Sequence, residues 1–183
     1  ATDEDSSCYF CGCSSDGGSD EESVDYTLTV ESSTPAVAPG TTYRFYVNMA
    51  NETDRMSAVF GNNDFNLIIN TPDGAFNSSG NASWSAAGIA PVFLGVFPEL
   101  ADDSYATIGL EGPASSSGID GAADPSIVED PLQQITPYFT TEGSTSLLSS
   151  TTIGSGWYIL NGSNNGLPNE DMRVLVLQVT TTG

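Results

Sequence analysis

From residue 41 to residue 50 apolar and polar side chains alternate without a break, with Tyr43, Phe45, Val47 and Met49 on one side and Arg44, Tyr46 and Asn48 on the other. A repeat of two is the spacing of a strand, because successive side chains leave opposite faces of the pleat. The face bearing Tyr43, Phe45, Val47 and Met49 is therefore expected to be core. Tyr26, Leu28 and Val30 alternate in the same way and predict a half-buried strand, ended by Pro35, Pro39 and Gly40. Further strands are expected within residues 56–60, 65–70, 105–111, 156–160 and 172–181, separated by Gly, Pro, Asn and Asp turns. None of these runs carries a sustained helical stripe.

Val174, Leu175, Val176 and Leu177 are consecutive apolar residues, the pattern of a strand covered on both faces. Together the runs predict an all-β domain, a β-sandwich or jelly roll of about seven or eight strands. Residues 112–142 are rich in Ser, Gly, Pro and Asp and are expected to wrap it as long irregular loops. The last strand is thus expected to be central, and a sandwich whose final strand stops at Thr182 is expected to expose an edge that an extended arm from the next unit completes.

Residues 1–25 differ in kind, holding eight acids, no base, three cysteines and the Gly17-Gly18-Ser19 stretch. They read as an acidic arm or linker. The chain of 183 residues thus divides into the arm, 1–25, and one β-sandwich domain, 26–183, with no internal repeat.

Charge restricts the partners. The chain has 24 acidic residues against three arginines (Arg44, Arg55 and Arg173), no lysine and no histidine, for a formal net charge of -21. Without a basic cluster it cannot neutralise phosphates or anionic headgroups, so nucleic-acid and membrane-surface binding are not expected, and with no run near the ~20 apolar residues that span a bilayer, neither is direct membrane insertion. Cations are the natural partners, and calcium is the cofactor the acidic loops would suit. Only 15% of residues are charged, leaving a surface of Ser, Thr and Asn that suits a secreted or cell-surface chain. Any export signal is expected upstream, because the opening residues lack basic and apolar signal regions.

The missing residue types also remove chemistries. Without histidine there is no Ser-His-Asp triad and no imidazole metal site; without lysine there is no Schiff base and no phosphate-loop lysine. A carboxylate-only glycosidase using Glu99, Glu111, Glu129 or Glu142 is the enzyme that remains, and the expectation is that the chain is not an enzyme. Cys8, Cys11 and Cys13 suit a disulfide or cross-links to another chain better than a metal site, since an acidic surround does not stabilise thiolates. Asn51-Glu52-Thr53, Asn77-Ser78-Ser79, Asn81-Ala82-Ser83 and Asn161-Gly162-Ser163 match the N-glycosylation sequon. Asn62-Asn63-Asp64, Asp102-Asp103 and the loop from Asp120 to Asp124 are acidic turns able to ligate calcium or simply cap themselves. Trp84, Trp157 and Tyr105 are the aromatics that a sugar-stacking platform would use, or that a core would bury.

Two stretches carry a resemblance. Ala1-Thr2-Asp3-Glu4-Asp5-Ser6-Ser7-Cys8 looks like the end of a short acidic Cys repeat of large secreted proteins of aquatic bacteria, whose units close on Asp-Asp-Gly-Ser-Cys; Ser6 stands here in place of the Gly. The stretches Asp54-Arg55-Met56-Ser57-Ala58-Val59-Phe60-Gly61, Asn81-Ala82-Ser83-Trp84, Asp103-Ser104-Tyr105-Ala106-Thr107-Ile108-Gly109 and Arg173-Val174-Leu175 are similar to uncharacterised β-rich domains of such proteins. The resemblance implies a multi-module secreted parent and brings no catalytic residue. The leading expectation is a structural building block of an extracellular fibre or cell-surface coat, assembling through its N-terminal arm with copies of itself or with adjacent modules. The alternative is a glycan-binding or adhesion module of a secreted protein.

Overall fold

The computed structural model describes residues 26–183. It is an all-β structure of nine strands: β1 (Thr27–Ser33), β2 (Thr41–Asn48), β3 (Ala58–Gly61), β4 (Leu67–Ala75), β5 (Tyr105–Ala106), β6 (Ser126–Val128), β7 (Ser144–Ser149), β8 (Ser155–Tyr158) and β9 (Arg173–Thr181). A single turn-and-a-half of helix, α1 (Thr136–Thr140), precedes β7. No helix among the described residues is long and apolar enough to cross a membrane.

The strands form two antiparallel sheets, β1-β2-β9-β4-β7 with β5 also against β9, and β3-β8-β6. Pairing is nested along the chain: β2 with β9, β3 with β8, β4 with β7. Successive pairs alternate between the two sheets, which is the winding of a jelly roll. This nesting places the last strand where its continuous apolar run predicts, in the middle of the sheet, and leaves β1 and β7 as the edges. β9 is central, flanked by β2 on one side and by β4 and β5 on the other.

The main core lies between the sheets, where Phe45, Val47, Leu147, Val174, Val176, Leu177 and Val179 of the larger sheet meet Val59, Trp157 and Ile127 of the smaller, with Tyr138 and Phe139 of α1 closing one side. Phe139 packs edge-on against both neighbours, its ring 5.0 Å from Tyr138 and 6.0 Å from Trp157. Met49, just past β2, joins Phe45 and Val47 in this core, whereas Tyr43, expected on the same face, is half-buried and lies outside both clusters. The opposite face of the same strand is also covered, since Tyr46 and Leu175 sit in a second cluster with Ala86, Ile89, Leu100 and Tyr105. Residues 76–111 thus cap the outer face of the large sheet, and β9 is buried from Val174 to Thr181 on both sides. A register shift opposite Phe45 and Tyr46 leaves Val176 as an extra residue in β9 and lets Val176 and Leu177 both serve the main core.

Within residues 105–111 regular pairing stops after Ala106, although Thr107 and Gly109 still donate backbone hydrogen bonds to the carbonyls of Val176 and Leu175. Gly109 has φ +67 and passes so close to the Asn165 carbonyl that a Cβ there would collide with it, so only glycine fits this bend. The stretch 112–142 is less irregular than expected, since it contains β6 and α1.

Candidate assembly surface

Among the described residues β1 is an outermost strand of the larger sheet. Its seven residues pair in unbroken register with β2, from Thr27 opposite Asn48 to Ser33 opposite Thr42. Its other side has no strand against it among the described residues, so it is the edge of the larger sheet. At seven residues it is longer than the opposite edge, the six-residue β7, beside which α1 is held by hydrogen bonds from the Ser144 hydroxyl to the carbonyls of Pro137 and Thr141.

The two faces of β1 differ. On one, Asn48 donates side-chain hydrogen bonds to the hydroxyls of Thr27 and Thr29, and Arg173 pairs with Glu31 at 2.6 Å while its guanidinium lies 4.1 Å over the Tyr46 ring. The Glu31 carboxylate raises the Arg173 pKa, so that cation is fixed and the charge of Glu31 is answered within the fold. On the other face Leu28 and Val30 stand opposite Val47 and Phe45. Val47 and Phe45 pack on the main core, yet Leu28 is 59% and Val30 48% exposed. The three-stranded sheet does not extend far enough to cover them. This corrects the expectation of a half-buried strand: β1 is the uncovered margin of the sandwich.

Natural edge strands are protected by Lys, Pro, bulges or shortness. β1 has no Lys, no Pro and no register shift, and its one charged residue is paired. A second exposed apolar feature, absent from the sequence reading, is the loop around Val92, Phe93, Val96 and Phe97 on the cap over the opposite sheet face. Its signal was the run Pro91-Val92-Phe93-Leu94-Gly95-Val96-Phe97-Pro98, which has no period of two.

The residues singled out for other chemistries are dispersed into structural roles. Trp157 is 1% exposed and donates its indole N–H to the Thr107 carbonyl, Tyr105 is buried, and Trp84 packs against the main core. Trp157 and Tyr105 are thus core residues, and no two of these three rings present a free face. Glu111 pairs with Arg44, Glu129 accepts the amides of Ile135 and Thr136, Glu142 accepts the Asn77 amide, and Glu99 lies in a 3-10 turn. Arg55 donates to the Ser163 carbonyl and the Asn164 side chain, whereas Arg44 and Arg173 form ion pairs.

The acidic turns bind their own backbone. Asn62 accepts the amides of Asp64 and Phe65, and Asp124 accepts that of Ala114. The Asp120 carbonyl accepts from Asn164. Asp102 gathers the consecutive amides of Ala36, Val37 and Ala38, which ties the loop after β1 to the cap. Asp103, fully buried, accepts the Ser78 amide and the Asn81 side-chain amide at 2.6 Å each. Burial pushes its carboxyl up to about 7 despite those donors. Among the described residues no group of three or more acids and cysteines is placed to hold a metal ion.

The sequons divide in two. Asn51 and Asn161 are exposed, whereas Asn77 and Asn81 are buried, with Asn77 donating to the carbonyls of Tyr138 and Thr141 and Asn81 to Asp103. At Asn77 and Asn81 the nitrogen that a glycan would take is engaged inside the fold. In material from a glycosylating source, peptide mass spectrometry is expected to find occupancy at Asn51 or Asn161 and none at Asn77 or Asn81. Glycan at either buried position on folded protein would contradict this packing. Cys8, Cys11 and Cys13, with the whole arm 1–25, lie outside the described residues.

Compared with protein-family models, curated proteins and solved structures, the chain matches none.

Proposed function

We propose that this chain is a structural building block of an extracellular fibre or cell-surface coat, joined to copies of itself or to adjacent modules through its N-terminal arm. The observation that carries the reading is the edge at β1, which has no strand against its outer side among the described residues, with Leu28 and Val30 exposed beside it. An edge strand offers a row of backbone donors and acceptors to an extended segment, and the side chains beside it supply specificity. A contact between an edge on one copy and an arm on the next is heterologous, so it propagates instead of closing into a symmetric pair. Dispersal of the candidate carboxylates and burial of the candidate sugar-stacking rings favour this reading over the enzyme and glycan-binding alternatives.

The net charge of -21 sets the conditions. Neighbouring copies repel at low ionic strength, and screening within about 10 Å at 0.1 M salt removes most of that barrier. Electron microscopy with image averaging of the full chain, across a concentration series and with added salt or calcium, is expected to show filaments or sheets. The repeat should be roughly 40 Å, the width of a domain of this size. Monodisperse single domains at every concentration and ionic condition would overturn the proposal.

A further inference from the structure

Resting on that reading, we propose that residues 6–15 of one copy add as a strand to the outer edge of β1 of the next, covering Leu28 and Val30 with Tyr9 or Phe10. The occupant follows from what the 25 residues ahead of the described structure contain. Five acids lie in 16–25 and three in 3–5, whereas 6–15 carry no charge and hold Cys8, Tyr9, Phe10, Cys11 and Cys13. Apart from Ala1 and Val24, these are the apolar side chains the arm has to offer. A neutral, apolar-bearing window of ten residues is also long enough to pair along all seven residues of β1.

The next copy is favoured over the same chain by the spacer. Residues 16–25 join the window directly to the start of β1, so folding back onto the same strand would compress Asp16, Asp20, Glu21, Glu22 and Asp25 into a turn. Charged linkers repel themselves and extend. Extended, ten residues span about 33–36 Å, close to the roughly 40 Å width of the domain, which brings the window to a neighbour's edge. The single charge on β1 is Glu31, already paired with Arg173 on the face away from Leu28 and Val30, so the incoming segment meets no unanswered acid there.

The arm's own cysteines provide the probe. Full-length Val30→Cys and, as a control on the remote apolar loop, Val96→Cys are assembled from reduced protein, treated with a mild oxidant and resolved without reductant. Leu28→Cys serves as a second edge position, and circular dichroism matching the parent shows that each variant is folded. The expected result is at least tenfold more copy-to-copy disulfide at Val30→Cys or Leu28→Cys than at Val96→Cys, with peptides joining the new cysteine to Cys8, Cys11 or Cys13. Filaments that form while the edge cysteines cross-link no better than the control would overturn the arm-on-β1 contact and leave the fibre reading standing. Linkage confined within single chains would assign β1 to its own arm and likewise overturn the inference. Absence of any assembly by the parent chain, seen in the same micrographs, would instead defeat the fibre reading itself.

Discussion

Asp103→Ala is expected to lower folding stability by about 3–5 kcal/mol near pH 5, because it strands the buried Ser78 amide and the Asn81 side-chain amide and leaves a void between them. The carboxylate joins segments distant in sequence, tying Ser78 and Asn81 after β4 to the residue that follows the Pro98–Asp102 turn, while the backbone carbonyl of Asp103 separately accepts from Gln178 of β9. The effect is also pH-dependent. A carboxyl with a folded-state pKa of about 7 and an unfolded value near 3.9 holds its proton more tightly in the folded chain. Its linkage contribution is therefore complete below about pH 4 and is lost as pH rises through 7, by at most ~4 kcal/mol for a shift of this size. Urea unfolding at several pH values is expected to show parent stability falling between about pH 4 and 8, with a shallower fall in the Asp103→Ala variant. Equal slopes for the two proteins would show that Asp103 ionises at its ordinary value despite its burial.

Ionised, Asp103 adds a further buried negative charge to a chain whose formal net charge is already -21, which acts in the same direction as its desolvation. Asp102 and Glu129 contribute differently, by collecting backbone amides of loops that have no sheet ladder of their own. Some of the acids thus replace secondary structure in holding loops.

How far this arrangement is legible in the sequence depends on the local pattern. β2 and β9 stand out because the alternation at Tyr43, Phe45, Val47 and Met49 marks a strand with a core-facing side, and the continuous run from Val174 to Leu177 reflects burial on both faces. The outer face of β2 misleads, since Tyr46 looks like a surface residue until residues 76–111 fold across it. β7 is hidden because Ser-Thr-Ser-Leu-Leu-Ser sets two leucines side by side, with Leu147 buried and Leu148 exposed. β4 runs on to Ala75 through Thr71-Pro72-Asp73-Gly74, turn residues tolerated there because the pairing with β7 is interrupted between Asn70 and Ala75. α1 is too short for a helical period to register, and its Pro137 reads as a breaker when it in fact lies in the first turn. The assembly surface was half legible. The alternation at Leu28 and Val30 identified the strand, but only the short reach of the three-stranded sheet shows that this apolar face is left open.

Trp157→Ala is expected to cost about 3–5 kcal/mol, a large part of the total stability of a single domain, and to loosen the two sheets from each other. Trp157 sits in β8, the middle strand of the small sheet, between Val59 of β3 and Ile127 of β6. Its ring meets Phe139 edge-on, and its indole N–H satisfies the Thr107 carbonyl in the irregular segment after β5. One side chain therefore connects the small sheet, α1 and the strand that pairs with β9. Trp157→Phe keeps much of the apolar area but leaves the Thr107 carbonyl without its donor, so a smaller loss of about 1–3 kcal/mol is expected. Thermal and urea unfolding of both variants would check the order, Ala below Phe below parent. If Trp157→Ala instead left stability within about 0.5 kcal/mol of the parent, the ring would be behaving as a surface residue. The sugar-stacking role that its burial argues against would then be open again.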